Sequence, residues 1–228
     1  SSLGSDFAGD DPDLIKGKAG SIFAIKDYYD VDPDLAVNVS NRMTEFTNLI
    51  NRIHNAGMKV IIDLVPNHVA RSYHSTIYPA RDFGIDDNKT IGTYYRTNNF
   101  YYIASGPINI TPYSGFSLPG MDGIFPENPA KATGDAGQNS SASTSSPNQN
   151  SWYETIKLNY GYDYNTQSAD YSSGQSHSTW TKMRDIAEYW INKNVDGFRV
   201  DTCITVAPEF WTFLFNYLNT KKSGLYFL

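Results

Sequence analysis

VDGFRVD, at residues 195–201, predicts a short strand that ends in a charged pair. Residues two apart in a strand face the same side of a sheet, so Arg199 and Asp201 share one face while Phe198 and Val200 share the other. A nearby guanidinium favours the ionised form of a carboxylate, and an ionised, desolvated carboxylate can act as a nucleophile. A structural Arg–Asp pair that closes the strand end would give the same pattern.

A second strand is predicted where KVIIDLVPNH occupies residues 59–68. The β-branched run at its start is typical of a strand that is buried on both faces. Pro66 breaks the strand and turns the chain, so we expect Asp63, Asn67 and His68 to point into one mouth. The amide oxygen of Asn67 suits Ca²⁺, which prefers oxygen ligands.

Three helices are predicted around these strands. Apolar residues recur at helical spacing from about Ser40 to Gly57, over residues 179–194, and from Pro208 onward. A further strand is predicted at residues 225–228. The predicted apolar faces comprise Met43, Phe46, Ile50 and Ile53, then Trp180, Met183, Ala187, Trp190 and Ile191, then Trp211, Leu214, Phe215 and Leu218. Alternating strands and helices predict an α/β fold with a parallel sheet.

An insertion is predicted between His68 and about Gln175, where turn signals and aromatic residues occur without a helical period. Ordinary connections between strand and helix are only a few residues long. Within the insertion, the Gly-, Ser- and Asn-rich residues 134–150 predict a surface loop. The chain therefore divides into two parts of one sheet unit and an irregular insertion, at residues 1–68, 176–228 and 69–175 respectively.

Four aromatic residues of the insertion are candidates to form one wall of a cleft. They are Tyr101, Tyr102, Trp152 and Tyr160, and for Trp152 we favour packing inside the insertion.

Composition excludes several classes of function. The 228 residues carry 18 basic and 24 acidic side chains, a net charge of −6, whereas nucleic-acid binding needs clustered Lys and Arg. No apolar run approaches the ~20 residues of a membrane span, and the first residues lack the basic and apolar segments typical of a signal peptide. The single cysteine, Cys203, excludes an internal disulfide.

The two strand motifs together resemble those of the α-amylase family, glycoside hydrolase family 13. Members carry Asp-x-x-x-Asn-His at the third barrel strand and Gly-x-Arg-x-Asp at the fourth. The matching residues are Asp63, Asn67 and His68, then Gly197, Arg199 and Asp201. The resemblance implies a partial (β/α)8 TIM barrel, from about the second strand to the fifth, with an irregular domain B inserted after the third. SIFAIKDY, at residues 21–28, resembles the second-strand segment.

The resemblance also implies roles for individual residues. Asp201 would be the nucleophile, oriented by Arg199. His68, Phe23 and Asp63 would bind the substrate, with Phe23 as a stacking platform where Tyr is usual and Asp63 as a hydrogen-bond acceptor.

The implied activity is hydrolysis of α-1,4-glucosidic bonds with retention, on an α-glucan such as starch or on maltooligosaccharides, outside the cytoplasm. Asn67 is a candidate calcium ligand, and no organic cofactor is expected. Transglycosylation and non-catalytic α-glucan binding stay open, because Ile204 and Thr205 stand where many members carry Lys-His. The general-acid Glu and a second Asp would follow the fifth and seventh barrel strands. Residues 1–228 hold neither, so we expect no hydrolysis by them alone.

Overall fold

The computed structural model describes residues 11–16, 20–111, 119–136, 146–148, 150–171 and 177–228. The predicted surface loop at residues 134–150 lies mostly outside these ranges. The described strands are, in chain order, β1 Ile61–Leu64, β2 His68–Ala70, β3 Tyr102–Ala104, β4 Ile108–Asn109, β5 Ile124–Phe125, β6 Ala130–Lys131, β7 Thr155–Lys157, β8 Tyr162–Asp163, β9 Ser168–Ala169, β10 Gly197–Val200 and β11 Tyr226–Phe227. The α-helices are α1 Arg42–Asn55, α2 Ser178–Asn192 and α3 Pro208–Lys221.

Strands β1, β10 and β11 form a parallel sheet in that order. Its register places Asp63 of β1 opposite Arg199 of β10. Gly197 permits the approach of β11, because a Cβ at this position would lie 2.1 Å from the carbonyl oxygen of Tyr226. The sheet therefore requires the glycine of the VDGFRVD motif, and its geometry brings two predicted site residues together.

The three predicted helices are confirmed, but the buried face of α3 differs from the predicted one. The side chains of α1 and α2 pack as their spacing predicts, with Ile50 and Met183 fully buried. In α3 the buried residues are Phe210, Leu214 and Leu218, while Trp211 and Phe215 are only half-buried. Phe210 replaces them because the start of α3 packs on α2, against Trp180 at 5.7 Å between ring centroids.

The main core lies between the helices and the sheet and continues into the insertion. The indole of Trp190 in α2 donates to the carbonyl of Tyr28 at 2.7 Å, and that of Trp180 donates to the carbonyl of Tyr160 at 3.0 Å. Each indole thus combines a large buried area with a satisfied N–H group. Helix α2 therefore fixes the insertion relative to the sheet.

The strand expected at residues 21–28 is wrong. Residues 20–28 form successive turns, with the amide of Ala24 donating to the carbonyl of Ser21 at 3.1 Å. The carbonyl of Ile25 accepts from Ala70 at the end of β2, at 2.9 Å. The described backbone of this segment therefore pairs with the start of the insertion rather than with β1, and the observed parallel strands are three.

The segment between β1 and α2 contains more regular structure than expected. Its described residues form four antiparallel pairs: β2 with β7, β3 with β6, β4 with β5, and β8 with β9. Strand β2 begins at His68, so the predicted division after residue 68 falls inside a strand. Two- and three-residue strands are too short to show a period of two in the sequence. Among the described helices, none has the length and apolar character required to cross a membrane.

Candidate active site

A guanidinium joins two carboxylates at the carboxyl ends of β1 and β10. Arg199 Nη1 lies 3.0 Å from Asp63 Oδ2, and Arg199 Nη2 lies 3.4 Å from Asp201 Oδ1. The amide of Asp201 donates to the carbonyl of Leu64 at 2.9 Å, which extends the sheet by one bond beyond β10. The structure therefore brings Asp63, Arg199 and Asp201 together, as the alternation of the strands predicts.

The two carboxylates differ in exposure. The side chain of Asp201 is 15% exposed, against 50% for Asp63. Thr202, directly after Asp201, has φ +47° and ψ +40°, a left-handed conformation that is costly for a β-branched residue. Backbone strain of this kind clusters at functional sites. Asp201 is thus the more sheltered carboxylate, and it sits at a strained turn.

Phe23 connects this cluster to His68. The guanidinium carbon of Arg199 lies 5.8 Å from the centre of the Phe23 ring, within cation–π range. The carbonyl of Phe23 lies 3.2 Å from His68 Nε2. The His68 side chain is buried, at 3% exposure, whereas Asp63 and Arg199 are open to solvent. Phe23 therefore links His68 to the strand-end cluster, since its carbonyl contacts the imidazole and its ring contacts the guanidinium.

His68 is neutral at pH 7. Burial lowers its pKa, and the positive charge of Lys157 lowers it further, to about 4, against a small opposing effect of the Phe23 carbonyl. A neutral imidazole has one N–H donor and one acceptor nitrogen. The neighbours of the ring therefore decide which nitrogen carries the proton.

Asn67, the candidate calcium ligand, is buried, and its amide oxygen already has two donors. Lys157 Nζ donates to Asn67 Oδ1, and Thr205 Oγ1 lies 2.7 Å from the same oxygen. In the described ranges, no group of three or more His, Cys, Asp or Glu side chains could hold a metal ion. Calcium needs six to eight oxygen ligands. This arrangement does not fit calcium.

Lys157 and Thr205 therefore belong to the site, and sequence analysis gave neither a role. Burial lowers the pKa of Lys157 to about 7. The sequence feature that could have indicated Lys157 is its position between two apolar residues, Ile156 and Leu158, which the structure buries. A charged side chain in such a run requires a polar partner, but the sequence does not indicate which one.

Of the four aromatic candidates, Trp152 is the open one. Tyr102 and Tyr160 are buried, and the hydroxyl of Tyr101 donates to Asn159 Oδ1 at 3.0 Å while its ring packs on Tyr164. Trp152 is 40% exposed, and its ring centre lies 5.5 Å from that of His68. The expectation that Trp152 packs inside the insertion is wrong. Its ring contacts the His68 ring edge-to-face and stays partly exposed to solvent.

The sequence matches a family model for the alpha amylase catalytic domain over residues 19–212. The chain belongs to the alpha-amylase family. The matched range includes Phe23, Asp63, His68 and the Arg199–Asp201 pair.

Curated proteins similar to this alpha-amylase-family chain include an alpha-amylase, a transporter heavy chain and a glucanotransferase. It is 23% identical over 210 residues to alpha-amylase 3 of Dictyoglomus thermophilum, covering 90% of this chain and 32% of that protein. It is 24% identical to the mouse amino acid transporter heavy chain SLC3A1, covering 78% and 20%. It is also 24% identical to a cyclomaltodextrin glucanotransferase of Bacillus licheniformis, covering 74% and 17%. The chain thus spans a third or less of each relative.

Among solved structures, the maltogenic amylase of S. marinus superimposes with a TM-score of 0.52 at 15% sequence identity. The superposition covers 94% of this chain and 27% of that structure. At such identity the likeness concerns the fold alone, and it is consistent with a fragment of a (β/α)8 barrel.

Proposed function

We propose that the alpha-amylase-family chain supplies the nucleophile of a retaining reaction on α-1,4-linked glucans or maltooligosaccharides. One observation carries the proposal: Arg199 holds the sheltered carboxylate of Asp201 at the carboxyl end of β10. Groups at the carboxyl ends of barrel strands carry the chemistry of such folds. The proposal includes an extracytoplasmic site of action, which would give the chain access to polymeric glucans outside the cell.

In this reaction a carboxylate oxygen of Asp201 forms a bond to the anomeric carbon as the glycosidic bond breaks. The departing oxygen takes a proton from a general acid, and water then releases the sugar with net retention. We assign no general acid among residues 1–228. Arg199 orients the carboxylate of Asp201 through its contact with Oδ1, and Asp63 holds Arg199 from the neighbouring strand.

The substrate would contact the site through aromatic faces first. Phe23 and Trp152 both contact His68, and Trp152 offers the more exposed ring. The proposed contact of a sugar hydroxyl with His68 requires that the Phe23 carbonyl give up its hydrogen bond to Nε2. Asp63, half exposed, can accept a sugar hydroxyl without such a change.

Transglycosylation is the second candidate, and Ile204 favours it. This residue lies three positions after Asp201 and is 89% exposed, an apolar surface that suits the face of an acceptor sugar better than water. The similarity to a cyclomaltodextrin glucanotransferase supports the same alternative. Product analysis on a protein that also carries the remaining barrel strands distinguishes the two, because transfer gives longer oligosaccharides and hydrolysis gives reducing sugar.

Covalent labelling tests the nucleophile directly. An α-maltosyl fluoride with a second fluorine at C5 has a leaving group that departs without proton transfer, so the test needs no general acid. We expect one glycosyl unit on the peptide that contains Asp201, measured by intact mass and peptide mapping, and no label in Asp201→Asn.

The matched control is Asp34→Asn, which removes an exposed carboxylate outside the site. It should label as the unmodified chain does. Absence of label in a folded chain, as judged by circular dichroism, would contradict the proposal and favour non-catalytic glucan binding. Label on another carboxylate would show that the nucleophile is misassigned.

A further inference from the structure

Lys157 lies in the insertion, and its side chain reaches the loops that follow two strands of the parallel sheet. It ends β7, opposite His68 of β2, and is 2% exposed. Its amino group donates to Asn67 Oδ1, after β1, and lies 3.3 Å from the carbonyl oxygen of Thr205, after β10. In the described part of the chain no carboxylate lies within ion-pair distance of it. Burying an amine with only neutral oxygen partners costs free energy, so the position of this amino group requires an explanation.

The neighbours of the Asn67 amide determine its orientation. The carbonyl of Gly134 only accepts hydrogen bonds, so Asn67 Nδ2 faces it, and the amino group of Lys157 donates to Oδ1 on the other side. Asn67 Nδ2 then faces the opposite way, 2.8 Å from the carbonyl oxygen of Gly134 and 2.9 Å from His68 Nδ1. Gly134 permits this contact, because a Cβ there would lie 2.1 Å from Thr155 Oγ1 and 3.1 Å from His68 Cβ. Both N–H groups of Asn67 are therefore used.

The orientation of Asn67 in turn determines the tautomer of His68. Nδ1 of the imidazole faces an N–H donor of Asn67, so this nitrogen must accept and carries no proton. The proton of the neutral ring is therefore on Nε2, which lies 3.2 Å from the carbonyl oxygen of Phe23. The chain of contacts from Lys157 through Asn67 to His68 permits one arrangement of hydrogens.

We infer that Lys157 is a positioning residue that occupies the oxygen Asn67 would otherwise offer to a metal ion, and that, together with the backbone carbonyls of Gly134 and Phe23, it holds His68 as the Nε2–H tautomer. The lysine nitrogen joins the insertion to the loops after β1 and β10 without calcium. The inference stands on contacts between side chains and holds whether or not the chain acts on glucans.

Nitrogen-15 NMR of the histidine rings tests the tautomer, with the His68 signals assigned by their loss in His68→Gln. In the unmodified chain we expect a protonated Nε2 and an unprotonated Nδ1. In Lys157→Met, which keeps an unbranched side chain one atom shorter and removes its donors, we expect a mixture of tautomers. Lys89→Met, at an exposed lysine of the insertion, is the matched control and should leave the His68 signals unchanged.

A loss of packing alone would lower stability but would leave the tautomer in place, so a lower melting temperature in Lys157→Met with unchanged His68 signals overturns the inference. A protonated Nδ1 in the unmodified chain also overturns it, and this measurement needs no variant to fold. Lys157→Arg restores a donor and should restore the Nε2–H tautomer.

Calcium itself provides the second test. The melting temperature of the unmodified chain should be the same with calcium chloride as with a chelator. A rise with calcium that is lost in Asn67→Ala would show that the ion reaches Asn67, and would overturn the inference.

Discussion

At the scale of single residues, Arg199 is expected to contribute little to stability, so the role proposed for it is chemical. Its side chain is 47% exposed, and both of its ion pairs reach solvent. Exposed ion pairs contribute about 0–1 kcal/mol, because water screens the charges and the side chains lose freedom. The role proposed for Arg199 is therefore to orient Asp201, while Asp63 holds the guanidinium from the neighbouring strand.

Arg199→Gln separates these two effects. We expect the free energy of unfolding to fall by less than about 1 kcal/mol, while the rate of labelling of Asp201 falls by roughly 10²-fold, the usual loss for an oriented donor at a reacting group. Urea unfolding and the time course of labelling measure the two quantities. Arg52→Gln, at an exposed arginine of α1, should change neither. If the loss of labelling is no larger than the loss of folded protein explains, Arg199 has a structural role.

The sequence predicted the strand-end cluster but not the interior of the site. Arg199 and Asp201 follow from a period of two, and Asp63 follows from the parallel neighbour. Lys157 could not be found in this way, because it is separated from Asn67 by 90 residues and reaches it through the antiparallel pairing of β2 with β7. Periodicity shows which face a residue occupies, whereas this contact depends on tertiary packing.

At the scale of elements, Asp196 fixes the amino end of β10. Its carboxylate accepts from the amide of Val60 at 2.9 Å, from His54 at 2.7 Å and from Lys59 at 3.3 Å, with Lys222 at 3.6 Å. Burial alone would raise its pKa, but these hydrogen bonds and charges lower it from 3.8 to about 2. One carboxylate thus joins the ends of α1 and α3 to the starts of β1 and β10.

The stability of the fold should depend on the ionisation of Asp196. Its pKa is lower in the folded state, so the contribution is complete above about pH 4 and is lost as the pH falls through about 2. The difference in pKa corresponds to about 2 kcal/mol. We expect Asp196→Asn to lose about this much at pH 7 by urea unfolding. The deficit should shrink toward zero in acid. Asp34→Asn should show no such profile, and a deficit independent of pH would contradict the assignment.

Long elements were predictable and short ones were not. Each of the three helices has several turns of apolar spacing, and each was located. The family resemblance implied a strand at residues 21–28, yet Ile22 is 72% exposed and the backbone forms turns that bond to the end of β2. The resemblance gave the wrong result there because the partner of this segment lies in the insertion.

At the scale of the whole molecule, one face of the sheet and helix layer is apolar and open. A groove of about 540 Å³ lies beside β1 and α1, and its apolar lining includes Ile25, Val31, Leu35, Phe46, Leu49 and Ile62. Leu35 is 86% exposed, and Val37, also on the groove, is 98% exposed. The sheet order ends at β1, so the outer edge of this strand has no partner strand among the described residues.

An apolar groove beside an unpaired strand edge favours association. We therefore expect purified residues 1–228 to form dimers or larger species as concentration rises, measured by size-exclusion chromatography with light scattering. The double variant Leu35→Glu, Val37→Glu places two charges at the groove and should shift the chain toward monomer. Ile85→Glu, at an exposed apolar residue of the insertion, is the matched control and should leave association unchanged. If the unmodified chain stays monomeric over the whole range, the groove and the β1 edge do not drive association. If Ile85→Glu is as effective as the double variant, added charge is responsible rather than loss of this apolar face.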